Sequence, residues 1–592
     1  MLDLLFLCNS YRNFMKWITL FPLTTLLFQI LFTGSTFSQM SNMRDRQFHP
    51  PLEIPLRLSG NFGELRTNHF HAGIDIKTQG VSGKQIYAIA DGYVFRIKVS
   101  ATGYGRAIYI HHPKRGVTSV YGHLRDFSEQ ITNYIRKNQY RKKSFEIQLF
   151  PVKDQFQVKK GELIGYSGNS GSSKGPHLHF EIRKMDNQHP INPLHYEFDI
   201  TDNISPKIFN LAVYPRNQHS LINGKNKKLI LDAVTSRENH YNVVGAQKLK
   251  LHGPVGFGLR TFDFFNGTPN WCGVYTIKLY VDSTLMYKHT MDEFSFYETR
   301  YINSLIDYEQ KVRNKTTLQK SFVQPHNNLS IYDFLRNEGF FNFNSDATHQ
   351  VKYEVTDVYG NTSYLDFEVK GTSGTGNNPH TALQNKEYTK VMPYNTENRF
   401  EQEELKLYFP KNAFYDTIYF EYQRQKMEGD NFYSDLHHIH NKYTPVHKDY
   451  TLSLKTSDLP ATLREKAFIA RLEEDEFNYA GSERINGFVS AEVDEFGEYI
   501  VMVDNEKPSI TPIISNNRKI SFKIEDDLSG IKSYNGYIDG KWALFEYDQK
   551  NDLLTYEIDK SRLSKAKSHK LELYITDEMD NVATFHDTFT IK

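Results

Sequence analysis

The sequence predicts a mainly β, multidomain protein, on three observations. With 592 residues the chain exceeds what a single hydrophobic core serves, since domains of about 100–150 residues are the commonest size. Aromatic residues make up 14%, with 38 Tyr, 42 Phe and only 3 Trp. They recur in short runs with Thr, Val and Ile, the residue types that suit a pleated, half-buried surface. Charge narrows the function classes: 71 Lys plus Arg stand against 70 Asp plus Glu, a formal balance of +1. A nucleic-acid partner, which demands a marked basic excess, is therefore not expected.

In chain order, the first element is a leader. Arg12 and Lys16 precede the apolar run Ile18 to Phe32, and Thr36 and Ser38 supply small residues before Gln39. That order predicts a signal peptide over residues 1–38, read from Met1 or from Met15. The run is shorter than the roughly 20 residues of a spanning helix. An uncleaved signal anchor is the alternative, and would be the chain's only membrane contact. Either way the body is expected to be exported, to the periplasm or cell envelope. Cys8 lies in this leader and leaves Cys272 without a partner. There is then no disulfide framework, and a metal site would have to be built from His and carboxylates.

Residues 48–198 form the next unit, rich in Gly and His. Ile86 to Ile97 and Ala107 to His111 read as strands, with Asp91-Gly92 as a hairpin signal. After Asn192-Pro193 the texture changes to alternating Tyr/Phe/Val/Thr and polar residues. Two later stretches match each other. Asp202-Asn-Ile-Ser-Pro206 opens a segment that closes on Val355-Thr-Asp-Val-Tyr-Gly-Asn361 and a strand. Asp504-Asn-Glu-Lys-Pro508 opens another that closes on Ile575-Thr-Asp-Glu-Met-Asp-Asn581 and a strand. Each close is a strand, an Asp/Gly/Asn turn and a final strand, which predicts immunoglobulin-like β-sandwiches over 202–371 and 505–592. Residues 371–385 read as a flexible Gly/Ser/Thr/Asn linker, and 386–504 as a further β-rich domain.

The chemistry is concentrated in 48–198. His71 and Asp75 stand in His71-Ala-Gly-Ile-Asp75, His123 in Tyr121-Gly-His-Leu124, and His177 and His179 in Gly175-Pro-His-Leu-His-Phe-Glu181. A strand alternates its side chains, so His177 and His179 share a face. Gly73 disfavours a helix between His71 and Asp75, leaving a curved strand or loop to bring both to one ion. Two imidazoles and a carboxylate would leave a fourth zinc position open for water, as hydrolytic sites require. The residue types alone do not decide this, because the chain has 23 His and most histidines in proteins are surface or satisfied core residues.

The wider pattern resembles the lysostaphin/LytM-type zinc endopeptidases, which include peptidoglycan D,D-endopeptidases and glycyl-glycine endopeptidases. The resemblance runs from Phe62 to Pro193. It rests on Phe70-His-Ala-Gly-Ile-Asp-Ile76, Ala88-Ile-Ala-Asp-Gly92, Gly103-Tyr-Gly105, Tyr121-Gly-His-Leu124, Val158-Lys-Lys-Gly-Glu-Leu-Ile-Gly165 and Gly168 to Glu181, in that order. It implies a small antiparallel β-sheet around a narrow groove, with Zn2+ on His71, Asp75 and His179, and His123 and His177 as catalytic histidines. It also implies hydrolysis of peptidoglycan peptide cross-links, with stem peptides as substrate and metal-bound water attacking the scissile carbonyl.

One stretch departs from the family pattern. Arg125 to Gln157 is an insert carrying Arg136, Lys137, Arg141, Lys142 and Lys143. It reads as a groove wall or lid, or, as charge runs more often are, a solvated excursion. Glu181 reads either as a residue orienting a ligand or as a surface ion pair, and Tyr121 and Phe180 as packing residues. Two other functions compete with an active endopeptidase. One is a non-catalytic or autoinhibited wall-binding regulator. The other is an adhesion or scaffold protein, in which the β-domains reach an envelope partner and the peptidase is accessory.

Overall fold

The computed structural model describes residues 48–373, 388–564 and 567–591, and these are mainly strand. The predicted signal and most of the predicted linker lie outside them. Among the described residues no helix is long and apolar enough to cross a membrane.

The first domain is an antiparallel sheet. Its strands are β1 (Leu58–Gly60), β2 (Ile74–Lys77), β3 (Gln85–Tyr87), β4 (Gly92–Val99), β5 (Arg106–His112) and β6 (Val117–Phe127). The helix α1 (Glu129–Lys142) follows, then β7 (Ile147–Leu149), β8 (Gln157–Val158), β9 (Leu163–Ser167), β10 (His177–Lys184) and β11 (Pro190–Ile191). The main path runs β1-β2-β10-β6-β5-β4-β7, so β10 lies between β2 and β6. In this register His179 faces Asp75 on one side and Gly122 on the other. Three sequence-distant motifs thus meet on neighbouring strands.

The expected hairpin at Asp91-Gly92 does not form. β3 pairs with β9, and β4 pairs with β5. Gly92 instead opens β4, where a Cβ would stand 2.2 Å from the His111 carbonyl oxygen. The glycine answers to close packing, not to a turn.

The next segment is a twelve-stranded sheet folded over a common core. Its closing hairpin pairs Thr348–Thr356 with Thr362–Gly371 in unbroken register. Two five-stranded sheets and a two-stranded one follow between residues 390 and 503. The last segment packs two four-stranded antiparallel sheets on one core, and closes on Ser568–Asp577 paired with Val582–Thr590.

The first domain shares cores with its neighbours. Phe265 and Cys272 of the second segment and Leu544 of the last lie in its main cluster. A second cluster joins Phe62 and Phe70 to Met291, Phe294, Tyr301 and Ile302, and to Tyr415 of the segment beyond. Phe294 stacks on Phe62 at 5.0 Å and tilts against Phe70 at 5.3 Å. Such pairs contribute about 0.5–1.5 kcal/mol each beyond their buried area. The insert helix is neither a loose excursion nor a free lid. Ile131 and Ile135 enter the domain core, the basic residues point to solvent, and Tyr140 meets Trp542 edge-on at 5.5 Å.

Candidate metal centre

His71 precedes β2, Asp75 lies within it, and His179 is the third residue of β10. Their donor atoms form a triangle. His71 Nε2 lies 3.0 Å from Asp75 Oδ1 and 3.0 Å from His179 Nδ1, and His179 Nδ1 is 2.9 Å from Asp75 Oδ1. A tetrahedral ion with bonds of about 2.0–2.2 Å spaces its ligands about 3.4 Å apart, so a small opening of this triangle makes it a zinc-sized set. All three residues are buried, at 2%, 6% and 3% exposure. Clustering three such donors out of water needs a common electrophile, and two imidazoles with one carboxylate suit zinc.

Each ligand is oriented from behind. His71 Nδ1 donates to the Asn61 carbonyl at 2.7 Å. His179 Nε2 donates to Glu181 Oε1 at 2.8 Å, and Arg183 Nε holds the other oxygen at 2.5 Å. The Tyr104 hydroxyl also donates to Glu181 Oε1. Arg66 Nη2 donates to Asp75 Oδ2 at 2.5 Å, which leaves Oδ1 for the ion. Such partners fix the ring and its tautomer. Glu181 is fully buried, so the orienting role holds and the surface ion pair does not. Tyr121 and Phe180 are core residues, as expected.

Charge follows geometry. Burial pushes His71 down to about 4, which keeps it neutral. Burial alone would raise Asp75, but its interaction with the adjacent His71 and hydrogen bonds from His177, His179 and His71 hold it well below the usual carboxylate range. Burial opposes protonation of His179, yet bonds to Asp75 and Glu181 lift it to about 9 in the metal-free chain. A cation is what this pocket favours.

His123 and His177 flank the triangle, with ring centroids 4.8 Å apart. His123 takes a left-handed backbone, φ 59°, and its Nδ1 donates to the Ser170 carbonyl at 2.9 Å. Burial, then the neighbouring His179 and His177, depress it to about 3. His177 Nδ1 donates to the Gly175 carbonyl at 2.9 Å, and its Nε2 stands 3.4 Å from Asp75 Oδ1. All five predicted residues therefore converge. His69 is exposed, and His112 is a buried structural residue held by the Asp91 carbonyl and the Ser119 hydroxyl.

Sequence reasoning missed Asn61, Arg66, Tyr104 and Ser170. Two of these act through backbone carbonyls, which every residue possesses, so no side-chain pattern marks them. Tyr104 stood in the quoted Gly-Tyr-Gly block without a role.

Comparison with known proteins gives this geometry a family. The profile described as "Peptidase family M23" matches residues 69–140 and 136–193, and a "Zu5-like domain" matches 389–504. A "DD-carboxypeptidase/endopeptidase Mpg" of Neisseria meningitidis is 35% identical over 143 residues, which are 23% of this chain and 26% of that protein. An "uncharacterized metalloprotease" of Haemophilus influenzae is 33% identical over 150 residues, 24% of this chain and 26% of that protein. The chain thus aligns with about a quarter of the length of these relatives. Among solved structures, the catalytic domain of the prophage-encoded M23 protein EnpA from Enterococcus faecalis is 26% identical, with TM-score 0.19, covering 25% of this chain and 95% of that one. The lysostaphin catalytic domain from Staphylococcus simulans is 22% identical, with TM-score 0.18, covering 24% and 90%. With the motifs, their strands and the profile in agreement, the chain carries a domain of peptidase family M23 between residues 69 and 193.

Proposed function

We propose that the protein is an exported, zinc-dependent endopeptidase that hydrolyses peptide cross-links in peptidoglycan. The observation that carries this reading is the triangle of His71 Nε2, Asp75 Oδ1 and His179 Nδ1 with two further imidazoles beside it. Bound there, zinc would act as a Lewis acid and bring the pKa of water from 15.7 to about 7.

The chain's own residues supply the proton handling. His123 and His177 each commit Nδ1–H to a carbonyl, so protons enter and leave at Nε2. One of the pair takes the proton of the attacking water and returns it to the departing amine. While protonated, it also donates to the oxyanion on the scissile carbon. The name of the Neisseria relatives, DD-carboxypeptidase/endopeptidase, supports an endopeptidase acting on peptides with D-residues, and the leader-like Arg12 to Ser38 supports export.

The test is digestion of purified sacculi with zinc, beside His179→Ala and a chelator-treated sample. Loss of cross-linked muropeptides with wild type alone is expected, and product masses name the bond. A wild type that binds zinc and leaves sacculi intact would sink the reading.

A further inference from the structure

A second group of acidic side chains lies away from the metal centre, at the seam between the peptidase domain and the segment that follows. Asp202 sits in the connecting stretch before the first strand of that segment. Asp263 follows the strand Lys250–Phe262, and Asp357 opens the turn of the closing hairpin. Oxygens of the three carboxylates lie within 4.8 Å of one another.

Asp263 is 1% exposed, and its Oδ1 has no hydrogen-bond partner. Asp202 Oδ2 is likewise buried without a donor. Among the described residues no lysine, arginine or histidine pairs with any of the three. Two orphaned carboxylate oxygens facing a third carboxylate are costly in a dry seam unless a cation completes them. Burial and mutual repulsion push Asp263 up to about 9 and Asp202 to about 7, the penalty the metal-free cluster carries.

The last segment contains a built-in comparison. Asp504 and Asp577 occupy the matching positions of its own opening and closing motifs, and Asp526 follows the strand Lys519–Glu525 as Asp263 follows its own. There the oxygens are served by donors. Ser529 Oγ donates to Asp504 at 2.5 Å, the amides of Ser529 and Gly530 to Asp526 at 2.9 and 2.7 Å, and Asn581 Nδ2 to Asp577 at 2.8 Å. None of these carboxylates has an orphaned buried oxygen. In the first cluster Asp357 is served in the same way, by Asn361 Nδ2 at 2.6 Å and the amides of Tyr359 and Asn361, and Asp202 Oδ1 accepts from the Ile204 amide. What sets the cluster apart is that Asp263 Oδ1 and Asp202 Oδ2 have no donor.

We propose that Asp202, Asp263 and Asp357 form a calcium site at the edge of this segment, where it meets the peptidase domain. Three hard oxygen donors without nitrogen or sulfur select calcium or magnesium. Calcium accepts six to eight oxygens in flexible geometry, whereas magnesium demands a near-ideal octahedron and keeps its waters. The seam is directly wired to the metal centre. Asp263 bridges to Cys272 through paired backbone bonds of 2.9 Å, and Gly273 beside it exchanges two bonds of 2.7 Å with Asn61, whose carbonyl orients His71.

The experiment is calorimetric titration of CaCl2 into the purified full chain after EGTA treatment and dialysis. One equivalent is expected at this site, with a dissociation constant at or below about 1 mM, the weak end for extracellular calcium sites. A melting temperature several degrees higher in calcium is expected with it. Asp263→Asn and Asp202→Asn should each lose that equivalent. Asp202 is only partly buried and outside any strand, so its variant is the one expected to fold. His179→Ala should keep it, which separates this site from the peptidase reading. No calcium binding by the folded chain at about 10 mM, ten times that weak limit, would overturn the proposal. So would unchanged binding in Asp202→Asn and Asp263→Asn, or equal affinity for magnesium.

Discussion

Glu181 shows how far a single residue reaches. It touches no ion and reacts with nothing, yet it holds His179 Nε2 so that Nδ1 faces the other two ligands. Glu181→Gln, which keeps the shape and loses the charge, should weaken zinc binding by about 10–100-fold. Competition against a chromophoric chelator measures this, and an unchanged affinity would refute the role. Arg66→Ala should act similarly through Asp75, whose second oxygen it occupies. The five candidate residues were legible through the ordered motif blocks that carry the family resemblance; strand alternation gave His177 and His179 a shared face, but residue type alone could not single them out among 23 His. Arg66 was not, since no spacing rule ties an arginine in a loop to a carboxylate nine positions on. His289 carries a separate prediction. It is fully buried, and burial lowers it from 6.5 to about 3. The unfolded chain therefore binds a proton below pH 6.5 that the folded chain refuses. Stability from this group is complete above pH 6.5 and declines as pH falls toward 3, by about 1.4 kcal/mol per unit. Urea unfolding at pH 6.5 and pH 5 should show wild type losing about 2 kcal/mol more than His289→Leu over that interval.

At the scale of elements, the loop between β9 and β10 does the positioning. Ser170 supplies the carbonyl that orients His123, while its hydroxyl donates to the Leu124 carbonyl at 2.8 Å and accepts from the Arg106 amide at 2.9 Å. Gly171 makes the loop possible. It has φ +69°, and a Cβ there would stand 2.4 Å from the Gly103 carbonyl oxygen and the Gly105 nitrogen. Gly171→Ala should therefore displace Ser170 and cut kcat by at least about tenfold, since misplacement of roughly 1 Å can cost a hundredfold. Zinc binding should persist, because no ligand sits on this loop. Steady-state kinetics with a parallel metal assay checks both halves. Strand existence was readable from residue types, and both closing hairpins formed where their turns predicted. Pairing was less readable. Asp91-Gly92 has the composition of a hairpin turn, but its glycine answers to a carbonyl brought close by another strand, which only the tertiary fold supplies. The insert shows the same limit: its charges marked the solvent face, while Ile131, Ile135 and Tyr140 decided what it docks against.

Across the whole molecule, the β-rich segments grip the peptidase domain from two sides. The segment after residue 200 clamps the stretch 61–71. Thr299 Oγ1 accepts from the Phe70 amide at 2.8 Å, and Asn303 Nδ2 donates to Asn68 at 2.7 Å. From the other side, the last segment sends Lys550 into the loop between β9 and β10. Its Nζ donates to the carbonyls of Asn169, Gly171 and Ser173. Arg106 meets Glu546 at 2.6 Å nearby. Lys550→Ala should lower kcat/KM a few-fold with zinc content unchanged; an unaltered rate would make this contact incidental. Domain texture was legible in the sequence, but this embrace was not, because contacts between residues several hundred positions apart leave no periodic trace. The clamp on 61–71 has a practical consequence. The residue orienting His71 and the one holding Asp75 both lie in a stretch whose aromatic anchors, Phe62 and Phe70, are buried by side chains beyond residue 290. The domain between residues 48 and 198 is consequently not a portable cassette. Cut out for fusion to another targeting module, it would carry the His71, Asp75 and His179 triangle along and leave behind the scaffold that aims it.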